Sequence, residues 1–288
     1  MVEVFAAFRA IERPLLFQSP EFERMFDLTS LDAALTGTIF AGKLHYAPVT
    51  QSTNADALEA ARAGATHGSV FFADEQLAGC GRGNHKWDSA AGQGLYVSVL
   101  LRPQFEAVRL PLLPLAAGLA AADAIREAAG LTVDLRWPND LLIGPRKAGG
   151  ILVQAKTETT RISFAVIGIG INVHQTEFDP SLATPATSVD LETGGKLSRS
   201  ALLVALLKRL ERETVALAGD AAGEAIPRRV QQASTWIAGR AVQVHGPQAC
   251  SGITEGLDAN GFLRVRTESG LVTVQTGGLR TAEVAGRI

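Results

Sequence analysis

Several clusters of residues in this chain have the types and spacing to do chemistry. The most concentrated is Asp74-Glu75-Gln76-Leu77-Ala78-Gly79-Cys80-Gly81-Arg82-Gly83-Asn84-His85-Lys86-Trp87. Alternating glycines let backbone N–H groups approach an anion, Arg82 and Lys86 add charge-assisted donors, and Trp87 offers a flat face to a ring. That is chemistry for a nucleotide or another anion, with a flexible surface hairpin loop as the competing reading. A dinucleotide fingerprint does not fit, because position 84 is Asn where glycine is needed and no apolar helix follows. No Walker A sequence occurs.

Arg136-Trp137-Pro138-Asn139-Asp140 places polar side chains at the end of an apolar strand, where ligands often meet a sheet. Lys147 stands just ahead of Gly149-Gly150, and Gly168-Ile-Gly170-Ile-Asn172 closes another strand with glycines that permit close approach. Ser52-Thr53-Asn54 opens a helix. Taken singly, each has a plain structural reading: Asn139 and Asp140 bonding their own turn, a solvated lysine, a bulge with a structural Asn, and a helix cap. His45, His67, His174 and His245 have no metal-like or triad-like spacing and receive no role. Cys80 and Cys250 are too few for a disulfide framework and lack metal-ligand spacing, which fits a reducing compartment.

The elements that must position these residues follow from hydrophobic periodicity. His45–Val49, Ser69–Ala73 and Leu95–Leu101 read as strands, and Thr53–Ala63 as a helix ending at Gly64. Leu112–Ala129, closed by Gly130, reads as a strong helix, followed by a strand at Thr132–Trp137 that Pro138 must end. Ile151–Ala155 and Ile162–Ile171 form a hairpin around a Lys156-Thr-Glu-Thr-Thr turn. Residues 174–195 form a long connection, Ser198 caps a helix through Leu210, and a weaker helix covers Ala221–Ala233. Beyond Trp236 short β-rich pieces predict a small all-β unit. At the other end, Leu28–Leu35 suits a short helix capped by Ser30 or Asp32, within an accessory extension. Consecutive strands without helices between them argue against a purely parallel sheet, so the fold class is α+β. The divisions are 1–43 as N-terminal extension, 44–236 as catalytic unit and 237–288 as C-terminal β unit.

Bulk properties exclude some functions. In 288 residues, 27 Lys and Arg against 29 Asp and Glu give a formal net charge of −2, which disfavours nucleic acid as a partner. The longest apolar stretch, Leu110–Ile125, is broken by Pro111, Pro114, Gly118 and Asp123, so no membrane span is expected. No signal-peptide pattern opens the chain, and a cytoplasmic location follows.

In this order, Ser52-Thr53-Asn54, the Gln76…Gly79-x-Gly81-Arg82…Lys86-Trp87 loop, Trp137-Pro138-Asn139-Asp140, Arg146-Lys147-x-x-Gly150-Ile151 and Gly168-x-Gly170-x-Asn172 resemble the biotin protein ligase family over roughly residues 44 to 175. The β-rich tail resembles the small SH3-like domain that ends these ligases. The resemblance implies a mixed-sheet catalytic domain related to class II aminoacyl-tRNA synthetases and lipoate ligases. It implies that biotin and MgATP form biotinyl-5′-adenylate, and that a lysine of a biotin carboxyl carrier protein then takes the biotinyl group. Residue by residue, Ser52, Thr53, Gln76 and Gly79, with Gly150 nearby, match the family's biotin contacts. Arg82 and Lys147 match adenylate-phosphate contacts, Lys86 stands beside them, and Trp87 and Asn172 match adenine contacts. Asp140 matches an acidic residue of the Mg²⁺ and adenylate region, so Lys147, Arg82 and Asp140 are the expected catalytic set.

One departure stands out. The family loop runs G-R-G-R-x-G-R-x-W, whereas Cys80 and His85 here replace two arginines, so two permanent cations become a thiol and a titratable imidazole. A lipoate or octanoate ligase or transferase of the same fold is the rival enzyme, although it would lack this loop. A ligase doubling as a DNA-binding repressor would need a helix-turn-helix, for which residues 1–43 are too short and too little basic. A non-catalytic biotin-binding module is disfavoured by Lys147, Asp140 and Arg82. The identity of the carrier, the base of the transfer step and the oligomeric state, a homodimer included, are open at this level.

Overall fold

The computed structural model describes residues 26–282. Strands β1 (Leu44–Thr50), β2 (Ser69–Gln76), β3 (Gly94–Leu101), β4 (Asp134–Arg136), β5 (Asp140–Ile143), β6 (Arg146–Glu158) and β7 (Arg161–Asn172) form one seven-stranded sheet in the order β1-β2-β3-β7-β6-β5-β4. Only β1 and β2 run parallel, joined by helix α2 (Thr53–Arg62); every other neighbouring pair is antiparallel. The sheet is thus mixed, as the consecutive strands require. All of β3 is buried, so its run of Leu, Val and Tyr marks a central strand covered on both faces.

One face is covered by α1 (Leu28–Ala34), α3 (Leu112–Ala129) and α5 (Arg199–Ala218), the other by α2, whose Ala57 and Ala61 pack on Leu100, Phe164 and Val166. Gly130 ends α3 in the left-handed conformation (φ 70°), which an L side chain rarely adopts. The cap of α1 is Asp27, not Ser30 or Asp32: its carboxylate accepts from the N–H groups of Thr29 and Ser30. The described part of the segment before residue 44 is no loose extension, because Phe26, Leu31, Leu35 and Phe40 are buried in the main apolar cluster. Residues 1–25 of the expected extension lie outside the described residues.

The β6–β7 turn differs from expectation as well. Lys156, Thr157 and Glu158 continue the ladder, and the chain reverses at Thr159, with φ 57°, and Thr160. A hairpin tip standing in solvent is polar in its strands and in its turn alike, so polarity does not locate the reversal. The long connection after β7 carries a short helix, α4 (Val189–Thr193), capped by Ser188. Helix α6 (Ala222–Gln232) precedes a five-stranded antiparallel sheet, β8 (Ala238–His245), β9 (Cys250–Leu257), β10 (Leu263–Thr267), β11 (Gly270–Val274) and β12 (Gly278–Thr281), in the order β11-β10-β9-β8-β12. Its Val242, Val244, Leu263, Val265 and Val274 share the main apolar cluster, and the Trp137 indole donates to the Gly261 carbonyl at 3.0 Å. Among the described residues no helix is long and apolar enough to cross a membrane.

Candidate active site

The β3–β7–β6 register decides what can stand on the sheet. Ser98 pairs with Gly168, and Gly170 pairs with both Tyr96 and Gly150. Glycine at these places leaves room for side chains from other elements. A Cβ on Gly168 would lie 2.1 Å from Asn54 Oδ1, and one on Gly170 would lie 2.6 Å from the Trp87 indole. Asn54 and Trp87 therefore rest directly on strand backbone.

At the Asn54 end the groups are neutral, and Ser52, Thr53, Asn54, Ser89 and Ser98 are buried. Ser52 is the N-cap residue of α2, yet its hydroxyl makes no cap bond. Thr53 donates to Gln76 Oε1 from its backbone N (2.9 Å), and its hydroxyl lies 3.1 Å from the same oxygen; Gln76 Nε2 donates to Ser89 Oγ at 2.8 Å. The Thr53 and Ser98 hydroxyls are 2.8 Å apart, Ser98 Oγ donates to Asn54 Oδ1 at 2.6 Å, and Asn54 Nδ2 donates to Gln154 Oε1 at 2.9 Å. Sequence reasoning passed over Ser98. Its signal was a serine in an otherwise apolar and aromatic run, in a strand that is buried throughout.

The other end is ionic. A tight connection through Pro138, with a cis Trp137–Pro138 peptide, pairs Arg136 with Asp140 across β4 and β5. Arg136 grips Asp140 Oδ2 from Nε (3.0 Å) and Nη2 (2.7 Å), while Lys147 Nζ sits 2.6 Å from Oδ1. Burial alone would raise the Asp140 carboxyl, but Lys147 and Arg136 overcome it and hold the group below the usual carboxylate range. Arg136 also donates to Thr184 Oγ1 at 3.0 Å and lies over the Trp236 ring at 5.2 Å. Lys147 Nζ is 5.4 Å from the centroid of Trp87.

Between the two ends, the glycine-rich run folds as a tight hairpin rather than an open loop. Trp87 N donates to Gly79 O at 2.8 Å and Gly81 N to His85 O at 2.6 Å, with Gly83 in the left-handed region at φ 69°. Gly79 has no room for a side chain, since a Cβ would lie 2.5 Å from Trp87 O. Ser52, Thr53, Gln76, Arg82, Trp87, Lys147 and Gly150 thus line one cleft, whose free space is about 50 Å³. Ligand pockets run to roughly 300–1,000 Å³, so the indole occupies room a ligand would need. The Trp87 Nε1 is buried without a partner.

Four expected residues do not line this cleft: Gly79, whose place is filled by the hairpin backbone, Asp140, which reaches it only through Lys147, and Lys86 and Asn172. Lys86 is exposed and does not line the cleft. Asn172 is buried, and its Nδ2 donates to Thr187 O at 2.9 Å and lies 3.5 Å from Lys147 O, so it pins segments together instead of facing a ring. Arg82 lines the cleft, but its guanidinium donates to Thr276 Oγ1 and the Gly277 carbonyl, on the connection from β11 to β12. Behind the hairpin, Arg199 Nη1 meets Asp74 Oδ1 at 2.8 Å, and Tyr46 donates its hydroxyl to the same carboxylate. No local pattern links residues so far apart in sequence. His174 does have company, a 2.6 Å pairing with Asp190 that closes the turn before α4. A larger open groove between α6 and the β9–β10 connection, bordered by Glu224, Arg228 and Asp258, lies away from all of these groups.

As a Mg²⁺ ligand Asp140 fits poorly, because both of its oxygens already face cations. Among the described residues, no group of three or more His, Cys, Asp or Glu could hold a metal ion.

Comparison with known proteins gives the family and the fold. Residues 46–172 match the biotin/lipoate A/B protein ligase family. The bifunctional ligase/repressor BirA of Bacillus subtilis (strain 168) is 39% identical over 171 residues, 59% of this chain and 53% of that protein, so the chain spans about half the length of this relative. The biotin–[acetyl-CoA-carboxylase] ligase of Paracoccus denitrificans is 33% identical over 228 residues, 77% of this chain and 93% of that one. The structure of biotin protein ligase from Aquifex aeolicus in complex with biotin and ATP matches with a TM-score of 0.72 at 28% identity, covering 84% of this chain and 100% of the other.

Proposed function

The chain belongs to the biotin/lipoate A/B protein ligase family, and we propose that it is a biotin–protein ligase. Biotin and ATP would give biotinyl-5′-adenylate and pyrophosphate, and a lysine amine of a biotin carboxyl carrier protein would then take the biotinyl group and release AMP. The observation that carries this reading is the juxtaposition in one cleft of a neutral hydrogen-bonding end, Thr53–Gln76, and a cationic end, Lys147 beside Arg136–Asp140. A cyclic urea offers N–H and C=O groups to the first, and a nucleotide phosphate offers negative charge to the second.

Family membership alone does not separate biotin from lipoate or octanoate; the polar Thr53–Gln76 end supports the first. A dithiolane ring or a plain acyl chain has no groups that could hydrogen-bond to that end, whereas a cyclic urea does. The lipoate or octanoate reading is therefore the weaker one.

In the first step a carboxylate oxygen attacks the α-phosphorus and the bond to pyrophosphate breaks, so two anions must be brought together. Lys147 supplies a cation for the phosphate oxygens, and Asp140 holds that ammonium beside the Trp87 face. Arg82 adds a second cation if it exchanges Thr276 and Gly277 for phosphate. The hairpin must also shift, because the indole fills space between the two ends. Once closed over the adenylate, it would keep water from the mixed anhydride until the carrier lysine arrives. Mg²⁺ would enter this reading only as the counter-ion that accompanies ATP as substrate, where it would neutralise phosphate charge. Residues 44–236 are the proposed catalytic unit, with 237 onward as the unit whose edge holds Arg82, and a cytoplasmic setting suits a protein using ATP and a carrier protein.

The test is incubation with ATP, Mg²⁺ and biotin, octanoate or lipoate, followed by mass spectrometry. Biotinyl-adenylate alone is the expected product. An acyl-adenylate formed only with octanoate or lipoate would replace this reading with the rival one.

A further inference from the structure

We infer that Arg136, which does not line the cleft, is a positioning residue that balances the Asp140 charge and so leaves Lys147 available as a cation for the nucleotide. This rests on the reading that the Lys147 end receives the phosphates of ATP.

The inference follows from counting charges. Asp140 and Lys147 taken alone are a neutral ion pair, with Nζ 2.6 Å from Oδ1. Such a pair attracts a phosphate weakly, because the carboxylate cancels the field of the ammonium beside it. A phosphate that took Lys147 from it would also leave a buried anion without a partner, which is a costly state. Arg136 removes both obstacles. Its Nε and Nη2 donate to Oδ2 at 3.0 and 2.7 Å, so the carboxylate keeps a full cation when Lys147 turns to a ligand. Two cations against one anion leave one positive charge in excess, and Lys147, which lines the cleft, is where it is presented.

Arg136 exerts this effect only through Asp140. It is buried, it is absent from the cleft wall, and its guanidinium is further held by Thr184 Oγ1 at 3.0 Å and by the Trp236 ring at 5.2 Å. Asp140 in turn acts on both cations of the cleft. It pairs with Lys147, and although burial lowers the Arg82 guanidinium, the Asp140 charge opposes that effect. Left unbalanced, one carboxylate would compete with phosphate for both. The antiparallel register sets the arrangement, since it places Arg136 directly opposite Asp140.

The experiment compares three variants of the full chain: Arg136→Gln, Arg136→Lys, and Arg136→Gln combined with Asp140→Asn. Single-turnover formation of biotinyl-adenylate from ATP, Mg²⁺ and biotin is measured beside calorimetry with biotin alone. Arg136→Gln should slow adenylate formation by about 30-fold and leave biotin affinity within about twofold. Adding Asp140→Asn removes the unbalanced carboxylate and should recover about tenfold of that loss. Arg136→Lys keeps the charge without the fork and should stay within about fivefold of wild type. If Arg136 only shapes the β4–β5 turn, the second substitution adds to the damage instead of undoing it. A double variant no faster than Arg136→Gln therefore overturns the inference, as does an Arg136→Gln variant as fast as wild type. Should Arg136→Gln fail to fold, Arg136→Lys decides the matter, and a loss beyond fivefold overturns the inference. A wild type that forms no biotinyl-adenylate overturns instead the ligase reading, and this inference with it.

Discussion

The two ends of the cleft are built on opposite principles. Around Thr53 the polar groups are neutral, and Thr53, Asn54 and Ser98 are buried and hydrogen-bonded to one another or to Gln76. Around Lys147 the groups are charged: Asp140 faces two cations, and Arg82 is tied to the second sheet. A fixed neutral network suits a ligand whose hydrogen bonds never change during the reaction. Ion pairs suit one whose charge changes, since a phosphate can replace a carboxylate or a carbonyl as the partner of Lys147 or Arg82 with little reorganisation. Specificity and chemistry are therefore separated in space, and substitutions at the two ends should have separable effects.

The largest effect is expected for Lys147→Ala, which removes a cation where phosphate charge develops. Adenylate formation in single turnovers should fall by about 100- to 1,000-fold while biotin affinity stays within about twofold. An equal loss of biotin affinity would erase the distinction between the ends. Gly168→Ala attacks the neutral end alone: its Cβ would meet Asn54 Oδ1 at 2.1 Å. Displacing Asn54 should cost about 1–3 kcal/mol of biotin binding, seen by calorimetry, with ATP binding unaffected.

Trp87→Ala should weaken ATP by roughly 1–3 kcal/mol, by analogy with base stacking on aromatic side chains, and biotin by less; equal losses in separate titrations would make the indole a shared structural wall. Arg82→Gly should cut the hairpin loose from Thr276 and Gly277. Biotinyl-adenylate trapped in solution should then rise several-fold at matched turnover, and an unchanged release rate would show that Arg82 does not retain the intermediate.

The smallest effect is a pH dependence confined to the ionic end. Lys147 and Arg136 lower the Asp140 carboxyl in the folded chain despite its burial. A lowered folded value means that its stabilisation is fully present above about pH 4 and lost as pH falls through that lowered value. Asp140→Asn should flatten the acid limb of the urea midpoint without changing the neutral-pH profile of biotin affinity.

Much of this architecture was legible because its causes are local. Helix α3 announced itself by apolar spacing and Gly130, and α5 by Ser198, whose hydroxyl accepts from Ala201 N. The glycine run stood out by residue type, whereas Lys147 and the two glycine-bearing strand ends take a role only through the family resemblance. The α1 cap and the β6–β7 turn were misplaced by sequence reasoning, because Ser30 and Asp32 are as suitable caps as Asp27 and polar hairpin tips look alike in strand and turn. Asn172 has an amide as apt for an adenine edge as for two carbonyls, and only its neighbours decide between them.

What the sequence determined by itself is which functional groups exist and which short elements carry them, since helix caps, turn residues and apolar periodicity act over a few residues. What the tertiary structure decided is which group each one faces. Ser98 meets Asn54 and Thr53 because strand register sets it beside Gly168, and the glycine leaves the space in which Asn54 lies. Arg82 meets Thr276 and Gly277 because a second sheet closes on the first. Hydrogen bonds and ion pairs act over a few ångströms, and only folding brings residues remote in sequence to that distance.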